Sequence, residues 1–259
     1  MKRSIRVTLI SVVLVCGATL LIFGLLRFIL HGTLSLSPGA SSPEQLEILA
    51  KRLASSGYRM GNPVFIRIFK RENILELWMK RDDRFALFES YPICSWSGEL
   101  GPKLREGDRQ SPEGFYTVSQ KQLHPTSRYH RAFNLGYPNA YDKQLERTGS
   151  FLMVHGACVS IGCYAMTNKV ITDIYNVMEA AFQAGQREVS VQIFPFRMVD
   201  DALGKEARNQ WYPFWKNLKE GHDLFEQTGL PPEMYACHNR YVPADRIGTS
   251  SGCERISGW

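Results

Sequence analysis

The chain has 259 residues, enough for one catalytic domain with a small appendage. An apolar share of 44% and a charged share of 22% exclude a chain that is disordered throughout. The formal net charge is +6, but Lys2, Arg3, Arg6 and Arg27 supply four of those charges, leaving 27 basic against 25 acidic groups, so no nucleic-acid partner is expected.

The basic start (residues 1–6) precedes Val7 to Leu26, which carries no charge in 20 residues. A helix of that length spans roughly the 30 Å hydrocarbon core of a bilayer. With the cations held in the cytoplasm, residues 1–30 read as a membrane anchor that exports the rest. The long apolar core, with no small-residue cleavage site after it, favours an uncleaved anchor; a cleaved signal sequence is the alternative. Cys16 follows Val15, where lipid attachment wants a small residue, so it reads as an apolar side chain within the span. Residues 31–42 form a linker rich in Ser, Gly and Pro.

Ser42-Pro43-Glu44-Gln45 reads as a helix start, with Ser as N-cap, Pro at the first position and Gln three residues on. Leu46, Leu49, Ala50 and Leu53 continue it at helical spacing. Three strands are expected at 63–70, 74–80 and 85–96, all rich in β-branched and aromatic residues. A polar loop, 98–114, ends in the turn Ser111-Pro112-Glu113-Gly114 and feeds a strand at 115–118. A buried strand at 151–154 ends at His155-Gly156. Val170, Ile171, Ile174, Val177 and Ala181 predict a helix over about 167–184, followed by a strand at 189–196 and an aromatic-rich helix from Trp211 to Leu218. The expected fold is mainly β with helical additions: a catalytic domain at 43–220, with residues 221–259 as a C-terminal extension.

The chemistry lies in His155-Gly156-Ala157-Cys158-Val159-Ser160-Ile161-Gly162-Cys163. An imidazole near a thiol can take its proton and later protonate a leaving amine. A nearby helix start would favour a thiolate. Cys163 is the candidate nucleophile and His155 its base. Gly162 lets the backbone approach a substrate carbonyl, where the Cys163 N–H would stabilise an oxyanion. Ser160 either bonds within the loop or orients the site, and Gly156 belongs to the same supporting set.

His-Gly followed by Ser-x-Gly-Cys resembles the signature of the L,D-transpeptidase catalytic (YkuD) domain family, as does the Ser111-to-Tyr116 turn and strand. Residues 151–156, 158–166, Phe133 to Asn139 and Ile193 to Met198 resemble its YafK/DpaA branch. The resemblance covers about 60–220. It implies a β-sandwich-like fold, no metal or other cofactor, and a thioester acyl-enzyme in the periplasm. The implied partner is the peptidoglycan stem peptide, attacked at the L-centre carbonyl of meso-diaminopimelate. For this branch it further implies release of a lipoprotein lysine by hydrolysis, with transfer to an amine acceptor as the alternative. Two departures from the wider family stand out. Tyr164-Ala165 replaces the usual residues after the cysteine, so the motif arginine is missing, and the loop between histidine and cysteine is short.

Tyr137 and Tyr164 are candidates for lining a substrate groove, with core or rim packing as the other reading. His155, Cys158 and Cys163 fit no usual zinc spacing, so no metal is expected. Cys158 reads as a packed thiol, Cys94 as a core residue, and Cys237 with Cys253 as candidates for a disulfide that an oxidising compartment permits.

Overall fold

The computed structural model describes residues 41–248 and 252–258. The predicted span at 7–26 lies outside them. No helix among the described residues is long and apolar enough to cross a membrane. The first helix among the described residues, α1 (Pro43–Ser55), begins as its sequence dictates. The Ser42 hydroxyl accepts from the Gln45 N–H at 3.2 Å, and the Gln45 side chain accepts from the Ser42 N–H at 2.9 Å. This reciprocal cap satisfies two donors that the helix itself leaves open.

Twelve strands among the described residues form three sheets. The largest has the order β3-β2-β1-β9-β4, built from β3 (Arg84–Pro92), β2 (Ile74–Arg81), β1 (Val64–Phe69), β9 (Glu188–Phe194) and β4 (Gly114–Ser119). Strands β1 and β9 run parallel, and the other pairs are antiparallel. The second sheet has the order β5-β6-β7-β8: β5 (Leu123–Ser127), β6 (His130–Asn134), β7 (Met153–His155) and β8 (Tyr164–Ala165). The third is β11-β10-β12, from β11 (Arg240–Pro243), β10 (Met234–Cys237) and β12 (Cys253–Arg255).

Helices α2 (Ala140–Gln144), α3 (Asn168–Gln183), α4 (Asp200–Lys205) and α5 (Tyr212–Thr228) are the other α-helices among the described residues. One core gathers Ile66 and Ile68 of β1, Leu75 and Leu77 of β2, and Val191 of β9 with Phe133, Val154 and Tyr164 of the second sheet. Helix α3 closes it with Ile171, Ile174, Val177 and Met178. Each such side chain contributes about 1.5–3 kcal/mol when fully buried. The opposite face of the large sheet meets α5 and the third sheet through Phe69, Phe115, Phe194, Trp215, Met234 and Tyr241. Cover on both faces explains why β1 is an unbroken apolar run apart from Arg67.

The boundary drawn at residue 220 falls inside α5, which runs to Thr228. The extension after it supplies Met234, Ala236, Tyr241 and Ile256 to the second core. The described residues belong to one compact unit. Cys237 and Cys253 are joined as a disulfide, across the β10–β12 pairing that sets them opposite each other.

Candidate active site

His155 is the last residue of β7, and Cys163 immediately precedes β8. These strands run parallel, with Val154 opposite Tyr164 and His155 opposite Ala165. One step back along that register sets Cys163 opposite Met153, whose N–H points to the cysteine sulfur at 3.4 Å. Side chains alternate along a strand, so His155 and Cys163 share one face while Val154 and Tyr164 take the other. Diagonal neighbours of this kind lie about 7–8 Å apart at Cα, within reach of an imidazole.

The imidazole has one defined tautomer. Its Nδ1 lies 2.6 Å from the Gly156 carbonyl oxygen, which only accepts, so the proton sits on Nδ1. Nε2 is left with its lone pair, as a base requires. The ring of Tyr129 stacks on the imidazole at 4.7 Å between centroids. His155 is buried, and burial lowers its pKa below 6.5, opposed by the Gly156 carbonyl. Burial likewise raises the Cys163 thiol above its ordinary value; the Met153 N–H and the Lys103 ammonium work in the other direction. The helix-dipole expectation is therefore corrected. Cys163 leads into a strand, and α3 starts five residues later at Asn168. Together the two shifts favour the neutral thiol–imidazole pair at pH 7, so that deprotonation would accompany attack.

The loop 156–162 is fixed at several points. The Ser160 hydroxyl donates to the Cys163 carbonyl at 2.8 Å and accepts from the Gly162 N–H at 3.2 Å, which is the intraloop reading. The Ser111 hydroxyl, from the 98–114 loop, donates to the same Cys163 carbonyl at 3.1 Å. Gly162 has φ +132°, a conformation that other residues rarely adopt. Gly156 is required by space: a Cβ there would lie 2.6 Å from Asn168 Oδ1 and 2.9 Å from the Tyr129 carbonyl. Gly156→Ala is expected to cost about 1–3 kcal/mol through this overpacking, read as a lower thermal midpoint.

Four expectations need correcting. Tyr137 and Tyr164 are fully buried, with hydroxyls on the Lys103 and Pro112 carbonyls, so neither lines a groove. For Tyr164 the cause is strand alternation, which turns it to the core when Cys163 faces out. Cys158 is not a packed thiol, and Cys94 is not a core residue. Both are exposed and joined as a disulfide across 64 residues of sequence. This bond pins the middle of the loop beside the strand pairing of Ser95 with Ala165. Ala165 stands where the motif arginine is expected, and it is fully buried as one partner of that pairing. Sequence reasoning missed Tyr129, Ser111 and Lys103. Only Ser111, in its proline-containing turn, carried a local signal.

The neutral pair has a kinetic signature. With His155 as the candidate base, the acid limb of a kcat/KM profile is expected below pH 6.5, because burial lowers the imidazole pKa. Stability follows the same sign. The unfolded chain binds the imidazole proton more readily, so this contribution is complete above about pH 6.5 and is lost as the pH falls through the folded pKa. A pH series of kcat/KM and of thermal midpoints checks both.

Residues 63–191 match the L,D-transpeptidase catalytic domain (YkuD) family. The chain belongs to that family. It is 50% identical over 183 residues to YafK of Escherichia coli strain K12, a protein named as an L,D-transpeptidase, covering 71% of this chain and 74% of that one. YafK of Escherichia coli O157:H7 matches to the same extent. Among solved structures, the helical cell shape determining protein Pgp2 from Campylobacter jejuni, as a point variant, is similar at TM-score 0.44 and 19% identity. That likeness covers 71% of this chain and 66% of the other. Bd1075 from Bdellovibrio bacteriovorus is similar at TM-score 0.37 and 18% identity, over 76% and 91% of the two chains.

Proposed function

We propose that this L,D-transpeptidase family member is a periplasmic hydrolase of the amide that joins a protein lysine to meso-diaminopimelate in the peptidoglycan stem. The observation that carries the reading is the placement of His155 and Cys163 on one face of the β7–β8 pair, with Nδ1 committed to the Gly156 carbonyl.

In the first half-reaction His155 Nε2 takes the Cys163 proton, and sulfur attacks the L-centre carbonyl. The Cys163 N–H, positioned by Gly162, faces the oxyanion. Collapse breaks the C–N bond, the imidazolium returns its proton to the departing lysine amine, and a thioester remains. In the second half, His155 deprotonates water, which attacks the thioester; collapse breaks the C–S bond and the imidazolium protonates the departing thiolate. The products are a free carboxylate and the Cys163 thiol. Hydrolysis is preferred over transfer because the chain resembles the YafK/DpaA branch; the short link from His155 to Cys163, with Ala157, Cys158, Val159 and Ile161 exposed, is compatible with water as the acceptor. The two disulfides suit an oxidising compartment. The uncharged stretch at 7–26 supplies the anchor in the inner membrane.

Two defined muropeptides test the reading, one a plain tetrapeptide and one carrying lysine as an amide on diaminopimelate. Mass spectrometry should detect a tripeptide stem and free lysine from the second, with Cys163→Ala as control. Joining of the tetrapeptide to an amine acceptor, with the lysine adduct left intact, would show a transpeptidase instead.

A further inference from the structure

Ten large apolar side chains are exposed among the described residues, and four of them belong to the segments that carry or flank His155 and Cys163. Tyr129 is 37% exposed, and its ring lies 4.7 Å from that of His155. Phe151 is 67% exposed, and its carbonyl lies 3.6 Å from the Cys163 sulfur. Val159, at 55%, and Ile161, at 80%, lie on the loop between His155 and Cys163. Single exposed apolar side chains are ordinary; four on the segments that lead into and out of the His155–Cys163 link mark a contact surface.

A loose loop would fold such side chains away from water. This one is held open. Cys158 is tied to Cys94, and its N–H donates to the Met166 carbonyl at 3.2 Å. The Ala157 N–H donates to Asn168 Oδ1 at 2.9 Å, and Ser160 is fixed on the Cys163 carbonyl. The fold therefore presents Val159 and Ile161 in place, and a partner need not order them first.

We infer that this apolar rim receives the protein side of the scissile amide: an extended segment with apolar or aromatic side chains just before the linked lysine. The inference rests on the hydrolytic reading and names its substrate more closely. The other side of the bond does not suit the rim. The D-centre of diaminopimelate carries an amine and a carboxylate, and the glycan is covered in hydroxyls. The departing lysine lies beside Cys163, so residues attached to it pass over the side chains that flank that thiol.

The test compares two adducts on the purified full-length chain: diaminopimelate joined to Leu-Leu-Lys and to Ser-Ser-Lys. Burying one or two aliphatic side chains predicts a preference of about tenfold in kcat/KM for the leucine adduct, expressed in KM. The Val159→Ser/Ile161→Ser double variant is expected to lose that preference. Leu230→Ser, exposed elsewhere, should keep it. Matched thermal midpoints show that the variants fold. Equal kcat/KM for the two adducts, or a preference that survives in the double variant, overturns the inference. If neither adduct is hydrolysed, the hydrolytic reading fails, and binding to Cys163→Ala then judges the rim alone. About tenfold tighter binding of the leucine adduct supports it, and equal binding overturns it. Dimerisation in sedimentation velocity, or flotation with phosphatidylglycerol–phosphatidylethanolamine vesicles, lost in the double variant, assigns the rim to another occupant and overturns it as well.

Discussion

Cys163→Ala is expected to lower turnover about 10⁴-fold or more on any substrate the enzyme accepts, while leaving substrate binding intact. Losses of that order follow when the nucleophile of a coupled nucleophile–base pair is removed. No neighbour stands ready to replace it. Cys163 is the free thiol among the described residues. Cys94 and Cys158 are bound to each other, and the Ser160 hydroxyl is occupied by the Cys163 carbonyl and the Gly162 N–H. Cys163→Ser should recover little, because a hydroxyl is a far weaker nucleophile and burial here already opposes an anion. Single-turnover mass spectrometry of the wild type should trap the acyl group on the peptide containing Cys163. Undiminished turnover in purified Cys163→Ala would sink the mechanism; full loss with retained muropeptide binding would place the defect in chemistry.

The elements with strong local signals were legible. Ser42, Pro43 and Gln45 spell a capping box, and the structure closes it. The helix expected over 167–184 is Asn168–Gln183, because Ile171, Ile174 and Val177 recur on the face that packs against the sheets. His155 and Cys163 stood out because the site is compressed into nine residues. What escaped depends on distance along the chain. Cys94 meets Cys158, 64 residues away in the chain, through the pairing of Ser95 with Ala165. Tyr129 reaches His155 from the β5–β6 turn, and nothing in its local sequence announces that. Tyr164 was a different kind of miss. Adjacent residues on a strand face opposite ways, so an outward Cys163 already required an inward Tyr164. A two-residue strand is too short to reveal that period in sequence.

The largest effect on stability is expected at Lys70, whose side chain is completely buried beside Glu113, itself completely buried. The Lys70 ammonium donates to the carbonyls of Glu99 at 2.8 Å, Gly101 at 3.2 Å and Ser111 at 3.1 Å, and to the Glu113 carboxylate at 3.0 Å. Glu113 also accepts from the Gly101 N–H at 2.7 Å and from Trp215 Nε1 at 2.8 Å. Burial pushes the Lys70 pKa down, and Glu113 opposes it. Lys70→Met leaves the buried Glu113 carboxylate without its cation and the Ser111 carbonyl without this donor, while Gln110 Nε2 still donates to the Glu99 and Gly101 carbonyls; the change is expected to cost about 3–5 kcal/mol. Urea denaturation should show the midpoint falling with the slope unchanged. Adding Glu113→Gln to Lys70→Met should recover part of the loss, because the unpaired charge is then gone while the Trp215 contact can persist. The two single effects would therefore not sum. Activity should fall further than the unfolded fraction explains. Ser111 links the pair to the site, since its carbonyl rests on Lys70 and its hydroxyl holds the Cys163 carbonyl. An unchanged midpoint in Lys70→Met would overturn this expectation: Trp215 Nε1 and the Gly101 N–H would then suffice to hold Glu113 and the loop. The ammonium would then matter for catalytic geometry and not for folding.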